Sequence, residues 1–315
     1  MIKIEKDIPL APYTIYKIGG LARFFVHVIN AEELQEAAMF AAEKSLKYAI
    51  LGAGSNMLIS DNGFDGLVIR MTGGGIQVQG ERMAVDAGVM MARAVTESGK
   101  AALHGFEWGI GVPGTIGGSI RGNAGCFGGE MKDVVESVEV FDLQTATSYK
   151  LQATNCAFGY RNSIFRTHPE WIVVCAVLCL ETGDREMIQK EIGRIAHERV
   201  IKQDIGTKSC GCIFKNISWP SDNGSREKLC AQFPELAVFR GRSTIPAAFL
   251  IDGCGLKGRR VGSICISDKH ANFFINQGEG TSKDVVALIA VAKEEVKKKY
   301  GIDLEEEIYF LVPSL

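Results

Sequence analysis

The sequence predicts an α+β fold that is divided into two or three domains. A chain of 315 residues is too long for one ordinary hydrophobic core. Strand-like alternating segments and segments with helical spacing follow one another along the whole chain. Between them lies a stretch, residues 108–129, in which nine residues are glycine. Glycine is costly to order, so this density indicates close approach of the backbone to a ligand.

The first unit, residues 1–75, is predicted to contain one helix and a small sheet. Asn30 is placed to cap a helix that runs to about Ser45, because apolar residues recur on one face of that segment. Apolar segments predict strands of one sheet at residues 24–28, 48–51, 58–59 and 67–69. The second of these strands leads into a glycine loop at residues 52–56.

The second unit, residues 76–185, is predicted to follow with a helix, the dense glycine stretch and further strands. The helix covers residues 92–99 and ends at a glycine. Residues 134–141 and 147–151 are expected to form a hairpin, and residues 171–180 a buried strand.

The third unit, residues 186–301, begins with a helix over residues 187–202. Thr281 or Ser282 caps a second helix, which ends at Gly301. Residues 302–315 form a C-terminal segment, and we expect a strand at 302–311. An apparent insertion, residues 218–244, is expected either as a surface loop or as a cover over part of a pocket.

The overall composition excludes several classes of protein. Hydrophobic residues make up 46% and charged residues 23%, which is typical of a soluble globular chain. A formal charge of -2 leaves no basic face for nucleic acid, and no apolar run reaches the roughly 18–20 residues of a membrane helix. Nine cysteines, an odd number, favour a reducing cytoplasm. Cys210-x-Cys212 has no second ligand pair at zinc-like spacing, so no metal is expected.

The two glycine loops favour a cofactor that contains a nucleotide, because bare backbone amides are suited to phosphate oxygens. The chain has no Gly-Lys-Ser/Thr phosphate loop, which disfavours ATP chemistry. Neither loop keeps a complete Gly-x-Gly-x-x-Gly fingerprint with a distant acid, so a Rossmann-type NAD site is disfavoured. Two such loops are consistent with a dinucleotide that is held from two sides.

Several motifs together resemble those of the UDP-N-acetylenolpyruvoylglucosamine reductase family, over about residues 13–310. They are Gly52-x-Gly54-Ser55-Asn56-x-Leu58, Gly111-x-Pro113-Gly114-Thr115-x-Gly117-Gly118 and Asn123-Ala124-Gly125, in the family's order. The resemblance implies a two-subdomain FAD-binding module of the p-cresol methylhydroxylase and vanillyl-alcohol oxidase type, followed by a C-terminal α+β substrate-binding domain. It also implies NADPH-dependent reduction of the enolpyruvyl ether of a UDP-sugar in peptidoglycan synthesis. We expect a cytoplasmic monomer.

By motif match, the resemblance implies that FAD is bound noncovalently by residues of the glycine loops. These residues are Gly52, Ala53, Gly54, Ser55, Asn56, Pro113, Gly114, Thr115, Gly117, Gly118, Asn123, Ala124 and Gly125.

The resemblance also implies three catalytic residues. Arg161 would stabilise the negative charge that builds on the substrate carboxylate; a surface ion pair is the alternative for it. Cys212 stands where the family usually has a serine proton donor, and a free thiol with a pKa of about 8.5 would donate well and be sensitive to oxidation. The alternative is a buried small apolar residue. Glu307 is the candidate carboxylate that supports the donor, but strand alternation would place Glu305 on the same face.

The family's substrate pocket is implied at Tyr160, Lys215, Asn216, His270 and Asn272. Two other functions remain open at this point. One is a different FAD oxidoreductase of the same fold, such as an alcohol or lactone oxidase. The other is a nucleotide-binding regulator that has lost catalysis, a reading to which the cysteine at position 212 lends itself.

Overall fold

The computed structural model describes residues 1–311 and confirms a mixed α+β architecture. The α-helices are α1 Ala31–Glu43, α2 Met91–Lys100, α3 Ile116–Arg121, α4 Met131–Val134, α5 Ile164–Thr167, α6 Arg185–Lys202, α7 Asn223–Gln232, α8 Ala247–Gly253 and α9 Ser282–Tyr300. Within residues 1–311, no helix is both long enough and apolar enough to span a bilayer.

The first sheet has the strand order β1-β2-β5-β3. Its strands are β1 Glu5–Pro9, β2 Leu21–Val28, β3 Lys47–Leu51 and β5 Phe64–Met71. The pair β1–β2 is antiparallel, whereas β2, β5 and β3 run parallel. Helix α1 begins after Asn30, whose side chain accepts a hydrogen bond from the amide of Glu33 at 2.9 Å, so the predicted cap is confirmed.

The prediction that residues 58–59 belong to this sheet is wrong. The strand β4 Met57–Ile59 pairs instead with β20 Tyr309–Leu311, in parallel. The reason is burial, because Leu58 packs in the core of the C-terminal part while Ile59 packs against the first sheet. The C-terminal strand therefore lies directly beside the segment that follows the first glycine loop.

The second sheet is antiparallel and has the order β12-β11-β13-β7-β6. Its strands are β6 Ile76–Gln79, β7 Arg82–Asp86, β11 Val135–Asp142, β12 Thr147–Gln152 and β13 Trp171–Cys179. The predicted hairpin of β11 and β12 is confirmed. The core that packs on this sheet includes Ile116 and Ile120 of α3, so the dense glycine stretch is fastened to it.

The C-terminal part combines α7 to α9 with very small sheets. Its strands are β15 Ile217–Ser218, β16 Thr244–Ile245, β17 Arg260–Val261, β18 Ile264–Ile266 and β19 Phe274–Asn276. Further two-residue strands in the chain are β8 Leu103–His104, β9 Gly125–Cys126, β10 Gly129–Glu130 and β14 Glu181–Thr182. Helix α6 packs against α2 and β8. Helix α9 begins at a capping box on Thr281 and ends at Gly301, whose φ of 69° confirms the predicted left-handed cap.

The apparent insertion, residues 218–244, is neither a surface loop nor a cover over the cavity described below. It contains α7 and a 3-10 helix, Pro234–Phe239. Trp219, Leu236 and Phe239 are buried in the C-terminal core. Burial of three large apolar side chains stabilises the position of this segment, so the segment is an integral part of the C-terminal unit.

The predicted strand over residues 302–311 is confirmed only in its last three residues. Before β20 the chain is irregular, and a single bridge joins Glu306 to Phe214. The strand is shorter than predicted because residues 303–308 form hydrogen bonds with the 210–216 segment and do not join a sheet. The unit boundaries at 75, 185 and 301 stay predictions.

Candidate active site

A cavity of about 700 Å³ lies between the two glycine loops and the C-terminal part. Twelve of the thirteen predicted cofactor-binding residues line it: Gly52, Ala53, Gly54, Ser55, Asn56, Pro113, Gly114, Thr115, Gly117, Gly118, Ala124 and Gly125. The other, Asn123, is fully buried behind the wall. Its amide donates to Glu130 and to the carbonyl of Gly159 at 2.9 Å, so it ties the glycine stretch to the turn that carries Arg161.

The first glycine loop is packed too tightly for side chains. A Cβ atom on Gly52 would lie 2.5 Å from Oγ1 of Thr115, and one on Gly54 would lie 2.2 Å from the carbonyl oxygen of Tyr13. The amides of Ala53, Gly54 and Ser55 have no hydrogen-bond partner within residues 1–311. Unpaired amides on a cavity wall are suited to an anion such as a pyrophosphate.

The second glycine loop differs from the expectation of bare amides. Thr115 caps α3 by accepting from the amide of Gly118, and the amides of Ile116 and Gly117 donate to the carbonyls of Val89 and Ala87 at 2.9 Å. These amides are occupied because the loop pairs with the chain that follows β7. The glycines of this loop therefore act mainly by allowing close packing and leaving the cavity open.

We expect Gly52→Ala to weaken FAD binding by about fivefold or more, because overpacking at a contact of this kind costs about 1–3 kcal/mol. The added methyl would displace Thr115 and disturb the cap of α3. The measurement is a titration of the FAD-free protein with FAD. Gly193→Ala in α6 is the matched control, since its new Cβ meets nothing within 4 Å. Equal affinity in both variants would contradict this account of the loop.

Three distant segments meet at one end of the cavity. The Glu307 amide donates to the carbonyl of Ile213 at 2.7 Å, and an antiparallel β-bridge joins the backbones of Cys212 and Phe273. Arg161 reaches the same place from the turn after Gly159, with Nε 2.7 Å from Oε1 of Glu307. The structure thus brings Arg161, Cys212 and Glu307, the three predicted catalytic residues, together on the cavity wall.

Arg161 is held in an unusual backbone conformation. Its φ is 52°, in the left-handed region that residues with side chains rarely adopt. Reciprocal hydrogen bonds between Gly159 and Asn162 close the turn, and the guanidinium also donates to the carbonyl of Gly125 at 2.9 Å. The Arg161 and Glu307 side chains are only 23% and 18% exposed. A surface ion pair therefore does not describe this contact.

The choice between Glu305 and Glu307 follows from where their side chains lie. Glu305 is 73% exposed and pairs with Lys215, whereas Glu307 lines the cavity. The expectation that strand alternation puts both on one face is wrong, because residues 303–308 are irregular. Of the two, Glu307 is therefore the candidate for the catalytic carboxylate.

Burial shifts the pKa values of two of these side chains, Cys212 and Glu307. Burial raises the pKa of Cys212 to about 12, and the negative charge of Glu307 adds to the rise. The positive charges of Arg161 and Arg199 oppose it. Burial also raises the pKa of Glu307, against the influence of Arg161. The Cys212 thiol is therefore protonated at neutral pH, but it is a weaker acid than a free thiol. The expected sensitivity to oxidation is not supported, since the thiolate is the reactive form.

We expect iodoacetamide to alkylate Cys212 at least about 10²-fold more slowly than the exposed Cys179 at pH 8, because little thiolate is present at a pKa near 12. The rate at Cys212 should keep rising well above pH 9. Peptide mass spectrometry of FAD-free protein measures both sites in one sample. Equal labelling rates at the two cysteines would show that the thiol is not protected in this way.

None of the five predicted substrate residues is among those that line the cavity within residues 1–311. The amide of Asn216 donates to Oη of Tyr160 at 3.1 Å, and Lys215 pairs with Glu305. Asn272 is buried and bonds both the amide and the carbonyl of Phe214, at 2.9 and 2.8 Å. It therefore supports the segment that carries Cys212. The His270 ring packs on Phe273, and its Nδ1 has no hydrogen-bond partner among residues 1–311.

Sequence reasoning missed three arginines of the cavity wall, Arg121, Arg166 and Arg199. Arg199 is 7% exposed, and its Nη1 lies 3.0 Å from Sγ of Cys126. Its Nε and Oε1 of Gln203 are buried in the wall without partners within residues 1–311. The sequence does carry one indication that Arg199 faces inward: it lies four residues after the buried Ile195, on the inner face of α6.

Two family models match the chain. One, described as an FAD binding domain, covers residues 22–151. The other, described as the C-terminal domain of UDP-N-acetylenolpyruvoylglucosamine reductase, covers residues 203–311.

Curated relatives with the name UDP-N-acetylenolpyruvoylglucosamine reductase match nearly the whole chain. The protein of Caldicellulosiruptor bescii is 34% identical, and the match covers 98% of this chain and 91% of the relative. That of Synechococcus sp. (strain JA-3-3Ab) is 36% identical with the same coverage. The crystal structure of the UDP-N-acetylenolpyruvylglucosamine reductase of Thermus caldophilus superposes with a TM-score of 0.78 at 32% identity, covering 98% and 99% of the two chains.

Proposed function

Because the chain belongs to the UDP-N-acetylenolpyruvoylglucosamine reductase family, we propose that Arg161, Cys212 and Glu307 carry out the family reaction in the cavity. The enzyme reduces the enolpyruvyl group of UDP-N-acetylglucosamine enolpyruvate to give UDP-N-acetylmuramate, a precursor of peptidoglycan. The observation that carries the assignment of residues is the 2.7 Å contact of Arg161 with Glu307 at the cavity end where Cys212 lies.

FAD is the cofactor, and the cavity fits it. The free amides of the first loop are suited to a pyrophosphate, and the wall carries four arginines: Arg121, Arg161, Arg166 and Arg199. When bound, FAD supplies the hydride that adds to the terminal vinyl carbon of the substrate. NADPH, which the resemblance implies, is our proposed source of electrons.

Arg161 is proposed to bind the substrate carboxylate. Hydride addition moves negative charge onto this carboxylate as an enolate, and a fixed guanidinium in a dry site stabilises that charge without reorganising. The strained turn and the contacts with Glu307 and Gly125 keep the guanidinium in one orientation. Preorganisation of this kind is what supports a catalytic role.

Cys212 is proposed to give the proton. The S–H bond breaks as a C–H bond forms at the carbon next to the carboxylate, and the electron pair of S–H stays on sulfur. The positive charges of Arg161 and Arg199 favour the thiolate that results. Glu307 orients Arg161 and, through its own raised pKa, is placed to help return a proton to sulfur.

The UDP moiety is proposed to contact Tyr160, Lys215, Asn216 and His270, whereas Asn272 is proposed to support the neighbouring segment that carries Cys212. Lys215 supports this part of the proposal, because its side chain is mostly buried while its partner Glu305 is exposed and can give way to a diphosphate. We further propose a monomer in the cytoplasm. Support for this compartment comes from the nine cysteines, which suit a reducing environment.

The experiment that tests this function is product analysis. Protein loaded with FAD is incubated with NADPH and the enolpyruvyl UDP-sugar, and the product is identified by mass spectrometry as the sugar that has gained two hydrogen atoms. UDP-N-acetylglucosamine, which lacks the enolpyruvyl group, is the control and should stay unchanged. NADPH oxidation without a reduced sugar would favour another FAD oxidoreductase, and no NADPH oxidation would favour an inactive regulator.

A further inference from the structure

Arg121 ends helix α3 and points its guanidinium at the ring of Tyr309. The guanidinium carbon lies 4.6 Å from the ring centroid, within the range of a cation–π contact. Both residues line the FAD cavity. The mechanism above uses neither of them.

Arg121 differs from Arg161 in its charge balance. Of the four cavity arginines, only Arg161 has a carboxylate within salt-bridge distance, in the part of the chain that the structure describes. Burial lowers the pKa of Arg121, and the positive charge of Arg166 adds to the lowering. A cation kept in such a place without a protein anion is stabilised when a ligand brings the anion.

The position of Arg121 is at the reacting end of the cavity. Tyr309 follows Glu307 by two residues, and its amide donates to the carbonyl of Asn56 at 2.9 Å. The Ser163 hydroxyl, in the turn after Arg161, donates to the Arg121 carbonyl at 2.7 Å. Arg166, whose positive charge lowers the pKa of Arg121, also donates to the carbonyl of Arg161 at 2.8 Å.

We propose that Arg121, held on the ring of Tyr309, stabilises the negative charge of the reduced FAD through its own positive charge. Uptake of a hydride, two electrons and one proton, adds one negative charge to the cofactor, and the donor loses the same two electrons and proton. Arg161 is already paired with Glu307, whereas Arg121 has no carboxylate within salt-bridge distance among residues 1–311 and is held over the ring of Tyr309. The inference rests on the FAD cavity and does not depend on which substrate is reduced.

The test is the reduction potential of bound FAD in Arg121→Gln, measured anaerobically against a reference dye. We expect the equilibrium between reduced and oxidised FAD to move about tenfold toward oxidised, about 30 mV for a two-electron couple. The affinity for oxidised FAD should change little. Arg23→Gln, an exposed arginine paired with Asp65, is the matched control and should keep the wild-type potential.

An unchanged potential in Arg121→Gln would overturn the proposal. A large loss of affinity for oxidised FAD at constant potential would overturn it too, because Arg121 would then serve the pyrophosphate. If the glutamine variant does not fold, Arg121→Met, whose straight side chain can still lie on Tyr309, gives the same measurement. Arg121→Lys keeps the charge and should recover most of the wild-type potential. These potentials are measured without the UDP-sugar, so they stand even if the substrate assignment fails.

Discussion

Replacing Cys212 by alanine is expected to slow reduction of the enolpyruvyl sugar by about 10²-fold or more, while reduction of FAD by NADPH stays at the wild-type rate. The methyl group cannot give a proton, and general acid catalysis typically contributes about 10²–10⁴-fold. Stopped-flow absorbance separates the two half-reactions, because bleaching reports FAD reduction and the return of colour reports substrate reduction.

Two further variants sharpen this test. Cys212→Ser puts a hydroxyl in place of the thiol and should retain substantial activity, since many of the same contacts are available to it. Cys179→Ala removes an exposed thiol away from the cavity and should behave as wild type. An unchanged rate of colour return in Cys212→Ala would show that the proton comes from another group. Complete inactivity of Cys212→Ser would argue against simple proton donation.

Arg161→Met is expected to lower the rate of substrate reduction by about 10²–10³-fold, the usual cost of losing one preorganised donor at a developing negative charge. The variant also leaves Glu307 buried without its cation, so the pKa of Glu307 should rise further. The rate of FAD reoxidation by the sugar, measured in a single turnover, is the readout. Thermal unfolding of the same samples reports any loss of stability.

Arg161→Lys serves as the matched variant. It keeps one positive charge but loses the planar guanidinium, which makes contacts in two directions, with Glu307 and with Gly125. We expect a rate between those of wild type and Arg161→Met. Wild-type turnover in Arg161→Met would mean that the pair with Glu307 is structural only, and the charge would have to be stabilised by another arginine of the cavity.

Features that depend on a few neighbouring residues could be predicted from the sequence. The caps at Asn30 and Thr281, and the left-handed end at Gly301, need only a short polar side chain or a glycine at the right place. The glycine loops were also found, because their steric demand is local. Their amides were harder to predict, since those of Ile116 and Gly117 are used by carbonyls that belong to the chain after β7.

Features that depend on distant packing could not be predicted. Strand alternation could not separate Glu305 from Glu307, because the conformation of that segment is set by contacts with residues 213–215. β4 joined the C-terminal strand for the same reason. The contact of Arg121 with Tyr309 joins the middle of the chain to its last described strand, and nothing in the sequence near Arg121 indicates it.

The most direct test of the central claim is a visible spectrum of the purified protein, taken under anaerobic conditions. We expect yellow colour that NADPH bleaches and that the enolpyruvyl UDP-sugar restores, which would establish the cofactor, the electron donor and the substrate in one sample. Colour that bleaches and does not return with the sugar would contradict the proposed reaction. Absence of bound flavin, even after FAD is added, would contradict the assignment of the cavity itself.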